Sequence, residues 1–199
     1  MNVARTPVID IQDGDALIIV DVQNDFLPGG ALAVSHGDEV IPVLNGYIDH
    51  FLTKGLTIIA TRDWHPVNHC SFQAQGGPWP PHCIANTHGS EFAAGLRLPE
   101  EFTIVSKAAS HDKDAYSGFG DTELDAILRS HGIRRVFIGG LATDYCVLNT
   151  VKDALANRYQ VYVLSDAIRA VNVQPDDGQK AEQEMTEKGA VMITLDQCA

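Results

Sequence analysis

Short apolar runs alternate with amphipathic segments along most of the chain. The apolar runs are rich in β-branched residues and almost continuously apolar, which is typical of strands covered on both faces. They predict six strands, at residues 16–21, 56–61, 102–106, 135–139, 160–165 and 190–195. Segments of helical pattern lie between them, at residues 38–54, 122–131, 144–157 and 177–188. Three of these segments are followed by a glycine placed to cap the helix, at Gly55, Gly132 and Gly189.

Alternation of strands and helices with short connections is typical of a parallel sheet flanked by helices. The pattern therefore predicts an α/β fold in three layers, with a mostly parallel six-stranded sheet and helices on both faces. A length of 199 residues and a hydrophobic fraction of 45% suit one ordinary domain. We expect a single domain over residues 1–199.

One long segment, residues 62–101, breaks this alternation. It is rich in Gly and Pro, yet it holds both tryptophans, two of the four cysteines and several histidines. Loops beyond about 12–15 residues are uncommon in compact domains and are usually functional or disordered. Because aromatic and metal-ligand residues are unusual in disordered segments, the composition favours a functional loop.

Charge and composition narrow the range of partners. The chain has 14 Lys and Arg against 26 Asp and Glu, a formal charge of −12, which disfavours nucleic acid and anionic membranes as partners. No apolar run reaches the roughly 20 residues of a membrane span, and residues 1–11 lack the pattern of a signal peptide. We therefore expect a cytoplasmic protein with a small-molecule substrate, in which the cysteines are mostly reduced thiols.

Reactive side chains follow the predicted strands. The first strand ends at Asp21, the second leads to Asp63 and His65, the third to Lys107, and the fourth to Cys146. Ligands of open parallel sheets bind beyond the carboxyl ends of the strands. Each of these residues alone is often structural, as a cap or a surface charge. Their coincidence at one edge indicates an active site.

Cys146 follows a Gly-Gly turn and opens a predicted helix, with Thr143 or Asp144 placed to cap it. A helix N-terminus presents free N–H groups that lower the pKa of a thiol and can stabilise an oxyanion. A nearby Lys107 would favour the thiolate, and Asp21 could accept the thiol proton. The alternative is a cysteine that is merely packed in the first turn.

A candidate metal site begins where the second strand ends. Asp63, His65 and His69 are spaced D-x-H-x3-H, and His82 follows in the same loop. His65 and His69 would share a face if this stretch formed a helical turn. Imidazoles with a carboxylate suit zinc, iron(II) or manganese better than calcium or magnesium. The cysteines that directly follow His69 and His82 are alternative ligands.

Taken together, these segments resemble the nicotinamidases, also called pyrazinamidases, of the isochorismatase-like cysteine hydrolases. The resemblance extends from residue 16 to residue 171, with a weaker match towards the C-terminus. The motifs that carry it are IVDVQNDF at 19–26, TRDWH at 61–65, GPWPPHC at 77–83, VSK at 105–107, DAYSGF at 114–119 and GGLATDYC at 139–146. The metal-loop motifs separate nicotinamidases from relatives that act on other amides.

The resemblance implies roles for individual residues. It makes Cys146 the nucleophile, Asp21 the general acid and base, and Lys107 the charge that stabilises the thiolate. It implies a metal held by Asp63, His65, His69 and His82. It also implies an oxyanion hole from the N–H groups of Ala142 and Cys146, with a cis peptide between Leu141 and Ala142. Phe26, Trp79 and Tyr116 match the positions that enclose the pyridine ring.

The implied reaction is hydrolysis of nicotinamide to nicotinate and ammonia through a cysteine thioester, a step of NAD salvage, with activity on pyrazinamide. The implied cofactor is one divalent transition metal, with zinc first and iron or manganese as alternatives. Three other functions stay open: an amidohydrolase for ureido or carbamoyl compounds, a non-catalytic metal-binding module, and a redox protein using Cys70 and Cys83. The sequence leaves open the identity of the metal, the role of Cys198, the breadth of the substrate range and the formation of a homo-oligomer.

Overall fold

Six parallel strands form the sheet at the centre of the fold. In a computed structural model, which describes residues 8–199, they are β1 (Asp15–Val20), β2 (Thr57–Asp63), β3 (Thr103–Lys107), β4 (Arg135–Leu141), β5 (Gln160–Arg169) and β6 (Val191–Ile193). Their order is β3-β2-β1-β4-β5-β6, and every pair of neighbours is parallel. The part of the 1–11 segment before residue 8 lies outside the described residues. The predicted parallel six-stranded sheet is therefore confirmed.

Helices cover both faces of this sheet. They are α1 (Val40–Thr53), α2 (Leu124–Ser130), α3 (Leu148–Ala156) and α4 (Asp177–Glu187). Along β1, Leu17 and Ile19 join the apolar cluster built with α1, whereas Ile18 and Val20 join the cluster built with the other three helices. Because successive strand residues point to opposite faces, one continuously apolar strand can serve both layers. The three-layer architecture follows from this.

The ends of the helices show where local patterns decide the structure. Gly55, Gly132 and Gly189 have φ values of +66°, +66° and +106°, and they follow α1, α2 and α4 as predicted. Such left-handed conformations favour glycine, which has no Cβ to clash with the backbone.

Among the described residues, none of the helices is long and apolar enough to cross a membrane.

The helix predicted at 144–157 begins differently from expectation. It starts as a π-helical turn, Thr143–Val147, before continuing as α3. Ala142 is the N-cap residue, and no side chain caps the turn, so the expected cap at Thr143 or Asp144 was wrong. The Asp144 carboxylate instead accepts hydrogen bonds from the N–H groups of Val171 and Asn172, at 2.9 and 2.8 Å. It thereby ties this turn to the segment that leaves β5.

The long segment 62–101 is irregular, as its composition indicates. After β2 ends at Asp63 it contains only two short 3-10 turns, Gln73–Gln75 and His88–Ser90. Isolated bridges hold its two sides together, between His65 and Ile84 and between Phe72 and Trp79. The segment is an ordered loop over the carboxyl edge of the sheet.

Candidate active site

Asp21, Lys107 and Cys146 meet at the carboxyl edge of the sheet. Asp21 directly follows β1, Lys107 ends β3, and Cys146 lies in the π-helical turn after β4. The Lys107 Nζ lies 2.9 Å from Asp21 Oδ2 and 3.5 Å from Cys146 Sγ. All three side chains are buried. The convergence predicted from the strand ends is present in the fold.

The Asp21 carboxylate has one occupied and one available oxygen. Thr61 donates its hydroxyl to Asp21 Oδ1 at 2.7 Å. Within the described chain, Oδ2 has only the ion pair with Lys107 and accepts no hydrogen bond of good geometry. Burial raises the pKa of Asp21, although the charge of Lys107 opposes this effect. A buried carboxylate with a raised pKa and a free lone pair is suited to accept and return a proton.

Lys107 links Asp21 to a second carboxylate, Asp63. Its ammonium is hydrogen-bonded to Asp63 Oδ1 and to the carbonyl of Ala115. Burial acts to lower the pKa of Lys107, but the charges of Asp21 and Asp63 outweigh it and raise this pKa well above its usual value. Burial likewise acts to raise the pKa of Asp63, but Lys107 and His65 outweigh it, so this pKa is lowered. Lys107 is therefore a permanent cation between two carboxylates.

The thiol of Cys146 differs from the sequence-based expectation. Burial raises the pKa of Cys146 well above its ordinary value, and the charge of Lys107 offsets only part of this effect. The expected lowering at a helix N-terminus was wrong in direction because desolvation of the thiolate outweighs the nearby cation. A thiol whose pKa is raised needs a base to form the thiolate, which Asp21 can supply.

Three side chains beside this cluster form a candidate metal site. Asp63, His65 and His82 each bring one donor atom within 4.8 Å of the others, and all three are buried. His65 Nδ1 lies 3.1 Å from the carbonyl oxygen of Ala108, and His82 Nδ1 lies 2.8 Å from that of Pro80. Carbonyls accept from Nδ1–H, which leaves the Nε2 lone pair of each ring free for a metal. The donor set therefore fits a divalent transition metal.

His69 packs beside this group in a different arrangement. Its ring stacks on His65 with centroids 4.2 Å apart. The chain between the two residues forms a tight turn, in which the His69 N–H donates to the Pro66 carbonyl at 3.1 Å, and not the helical turn considered from the sequence. Its Nδ1 accepts the N–H of Ser71 at 3.3 Å, and its Nε2 lies 3.0 Å from the carbonyl oxygen of Lys113. Binding a metal through Nε2 would break the second hydrogen bond. The role of His69 as a fourth ligand stays a prediction.

The two cysteines of the loop follow His69 and His82 in the chain, but within the described residues their thiols do not join the candidate metal site. Within the described residues, neither Cys70 nor Cys83 belongs to a group of donor atoms as close as that of Asp63, His65 and His82. Cys83 is buried, and burial raises its pKa. Both thiols are free rather than joined to each other. These positions give no support to the alternative ligands or to a redox pair.

A pocket opens between the thiol and the candidate metal site. Its walls include the three aromatic residues matched by sequence, Phe26, Trp79 and Tyr116. Two residues of the candidate metal site, Asp63 and His82, and the residues Ala142 and Cys146 complete this part of the lining. Trp79 Nε1 donates to the Tyr116 hydroxyl at 3.0 Å. The expected cis peptide between Leu141 and Ala142 is present and leads directly into the turn that carries Cys146. The Cys146 thiol and the aromatic rings therefore face the same pocket.

Comparison with known proteins identifies the family. Residues 15–197 match the Isochorismatase domain. The chain belongs to the isochorismatase family. A nicotinamidase of Escherichia coli K12 is 41% identical over 201 residues, which cover 90% of this chain and 94% of that protein.

Solved structures of the isochorismatase family agree with this result. A pyrazinamidase of Pyrococcus horikoshii, solved in complex with zinc, is 51% identical with a TM-score of 0.87, covering 91% of this chain and 99% of that one. A protein from L. infantum, solved in complex with nicotinate, is 34% identical with a TM-score of 0.90, covering 96% and 98%.

This member of the isochorismatase family has pocket residues that sequence reasoning missed, namely Leu32, Tyr145 and Val171. Tyr145 packs edge-on against Trp79, with ring centroids 5.0 Å apart. Its position directly before Cys146 was a usable signal. Val171 follows the end of β5, so the rule of strand ends could also have found it. Leu32 lies in the loop after β1 and carries no such signal.

Proposed function

We propose that the protein is a nicotinamidase that hydrolyses nicotinamide to nicotinate and ammonia, and that it also acts on pyrazinamide. The observation that carries this proposal is the position of Lys107, which touches both Asp21 and Cys146, the thiol that lines an aromatic pocket. Close similarity to nicotinamidases and a pyrazinamidase supports the same substrate class. A purely structural metal module would have no need of a buried carboxylate and cation packed against a thiol that lines a pocket.

In the first half-reaction, the substrate carboxamide lies against Cys146. Asp21 takes the thiol proton through its free Oδ2, and Lys107 stabilises the thiolate that forms. The sulfur attacks the carboxamide carbon, and the carbonyl electron pair becomes an oxyanion held by the N–H groups of Ala142 and Cys146. When the carbonyl re-forms, the C–N bond breaks and Asp21 returns its proton to the leaving ammonia. A thioester on Cys146 remains.

In the second half-reaction, water replaces ammonia beside Asp21. The carboxylate accepts a proton from this water as its oxygen attacks the thioester carbon. The C–S bond then breaks, and Asp21 returns its proton to the sulfur. Since Asp21 accepts a proton and gives it back in each half-reaction, its raised pKa suits transfer in both directions. Nicotinate leaves the pocket, and the site returns to its starting state.

Asp63, His65 and His82 would hold one divalent metal, for which zinc is the first candidate, with His69 as the predicted fourth ligand. The metal supplies a Lewis acid that can bind the ring nitrogen of the substrate. Phe26, Trp79 and Tyr116 would hold the faces of the ring, so that the polar contact and the stacking act on the same group.

We also propose that residues 1–199 act as one cytoplasmic domain with 62–101 as its metal-binding loop.

The test is ammonia release from a panel of amides by the zinc-loaded protein, with and without a chelator. We expect turnover of nicotinamide and pyrazinamide, and loss of turnover in the chelator. A ureido compound and a carbamoyl compound belong in the panel as rival substrates. Faster release from either rival than from nicotinamide would reject the proposed function in favour of the related amidohydrolase activity.

A further inference from the structure

Gln23 is a buried amide that no step of the reaction uses. It lies two residues beyond Asp21, and its side chain is fully enclosed. Its Oε1 accepts the N–H of Asp63 at 2.8 Å, and its Nε2 donates to the carbonyl of Asp63 at 2.8 Å. The same Nε2 donates to the carbonyl of Ser90 at 3.0 Å. Three of the four hydrogen-bonding positions of the amide are thus occupied by backbone groups.

The bonds between Gln23 and Asp63 continue the sheet beyond the end of a strand. The pairing of β1 with β2 ends at Val20 and Thr61, and the N–H of Asp21 still reaches the carbonyl of Thr61. Asp21 then has φ of +49°, and the chain turns away from β2. The next peptide groups on that side of β2 belong to Asp63. The Gln23 side chain supplies the donor and the acceptor that a longer β1 would have supplied.

On the opposite side, Asp63 is paired in register with Lys107 of β3. The backbone of Asp63 is therefore held from both sides, by a strand and by a side chain. The backbone position matters because the Asp63 carboxylate takes part in two interactions at once. It is bonded to the Lys107 ammonium, and it lies in the group with His65 and His82. A small rotation of this residue would change both contacts.

The third hydrogen bond reaches the far part of the long loop. Ser90 lies 27 residues beyond Asp63, and its carbonyl meets the same amide nitrogen. The loop that carries His65 and His82 is in this way fixed at its start and near its end to one side chain. A carboxamide fits this position because it alone offers both donors and an acceptor at the required length.

We propose that Gln23 is a positioning residue that orients Asp63 towards Lys107 and towards the metal at once, an inference that rests on the proposed function. All its side-chain hydrogen bonds go to backbone groups, and two of the three go to Asp63. Its effect therefore passes through Asp63. Partners that orient metal ligands through hydrogen bonds typically contribute about 10–100-fold in metal affinity or activity.

The experiment compares Gln23→Glu and Gln23→Met with the wild-type protein. Gln23→Glu keeps the size but turns a second acceptor towards two carbonyl oxygens, and Gln23→Met removes all three hydrogen bonds. We expect the dissociation constant for zinc to rise by about 10–100-fold. We expect kcat for nicotinamide to fall at saturating zinc, with a smaller change in KM because the aromatic side chains of the pocket are unchanged. If Gln23→Met does not fold, Gln23→Asn, which shortens the reach of the amide, replaces it.

Asn45→Asp is the matched control. The Asn45 amide also bridges the backbone of the long loop, donating to the carbonyl of Gly95 at 3.0 Å and accepting the N–H of Arg97 at 2.8 Å. It does not contact Asp63. We expect this variant to lower the melting temperature while leaving zinc affinity and kcat as in the wild type.

Two results would overturn the inference. One is wild-type zinc affinity and kcat in the Gln23 variants, and the other is an equal loss of zinc affinity in Asn45→Asp. The zinc titration needs no substrate. A wild-type protein that binds zinc but does not hydrolyse nicotinamide would reject the proposed function alone, and active but unaffected Gln23 variants would reject this inference alone.

Discussion

The indole N–H of Trp79 donates to the hydroxyl of Tyr116 across 3.0 Å, which joins two pocket walls that lie 37 residues apart in the chain. Trp79 belongs to the long loop after β2, and Tyr116 to the segment after β3. Each ring also packs against Tyr145, with centroids 5.0 and 5.4 Å apart. The aromatic part of the pocket is therefore one connected unit. Its Trp79–Tyr116 hydrogen bond can be removed by substitution while all three rings are kept.

Tyr116→Phe removes the acceptor of this bond and keeps the ring. A hydrogen bond of this kind contributes about 0.5–1.5 kcal/mol, so we expect kcat/KM for nicotinamide to fall by about 2–10-fold, mainly through KM. Tyr159→Phe is the control, since its hydroxyl donates to Asp125 away from the pocket. Steady-state kinetics of both variants give the comparison. Equal losses in the two would mean that the Trp79 bond has no special part in binding.

Cys146→Ala should fold and bind zinc but lose turnover by about 10³-fold or more, as expected for a nucleophile. Zinc content and circular dichroism verify that the variant is intact. Cys70→Ala serves as the control because this cysteine lies outside the candidate site. Near wild-type activity of Cys146→Ala would exclude the thioester mechanism.

Asp21→Ala and Lys107→Ala should each reduce kcat nearly as much as loss of the thiol. Residues that act as a unit give non-additive losses, so the double variant should be hardly worse than the worse single variant. Removing Lys107 leaves two buried carboxylates without their cation, and we expect a loss of stability of about 3–5 kcal/mol. Denaturation and kinetics are measured on the same preparations. Losses that multiply in the double variant would show that the residues act independently.

The histidines of the loop can be ranked as metal ligands by the zinc content of their alanine variants. His82→Ala removes a free Nε2 donor of the candidate site, and it should lower zinc occupancy strongly. His69→Ala should also lower occupancy, but less, because its Nε2 already bonds to the carbonyl of Lys113. His88→Ala, an exposed residue of the same loop, is the control. Elemental analysis showing full zinc in both His82→Ala and His69→Ala would contradict the assigned site.

Benzamide tests whether the metal recognises the ring nitrogen. Stacking between aromatic side chains cannot tell a pyridine from a benzene ring, whereas a polar partner can. Sites built around a polar group reject analogues that lack it far more strongly than apolar pockets reject a missing methylene. We expect kcat/KM for benzamide to be lower than for nicotinamide by roughly 10² or more on zinc-loaded protein. Comparable turnover of the two amides on the zinc-loaded protein would mean that the metal does not bind the ring.

Much of the fold was predictable because the determining signals are local. Continuous β-branched runs predict buried strands, and glycines at Gly55, Gly132 and Gly189 predict where helices end. The boundaries of two strands were less exact. β6 keeps only Val191–Ile193 of the predicted 190–195, and β5 continues to Arg169, beyond the predicted end at residue 165.

The strand pattern in the sequence is enough to predict which reactive side chains meet, because parallel strands bring their carboxyl ends to one edge of the sheet. Asp21, Lys107 and Cys146 could be grouped on that ground alone. The electrostatic state of each group, in contrast, depends on the folded environment. The pKa of Cys146 is raised because burial outweighs the nearby cation, and the degree of burial depends on all surrounding segments. The partners of Asp144 and Gln23 were equally hidden, since they lie 27 to 67 residues away along the chain. Hydrogen bonds over such separations leave no periodic trace in a sequence, and they exist only once the chain has folded.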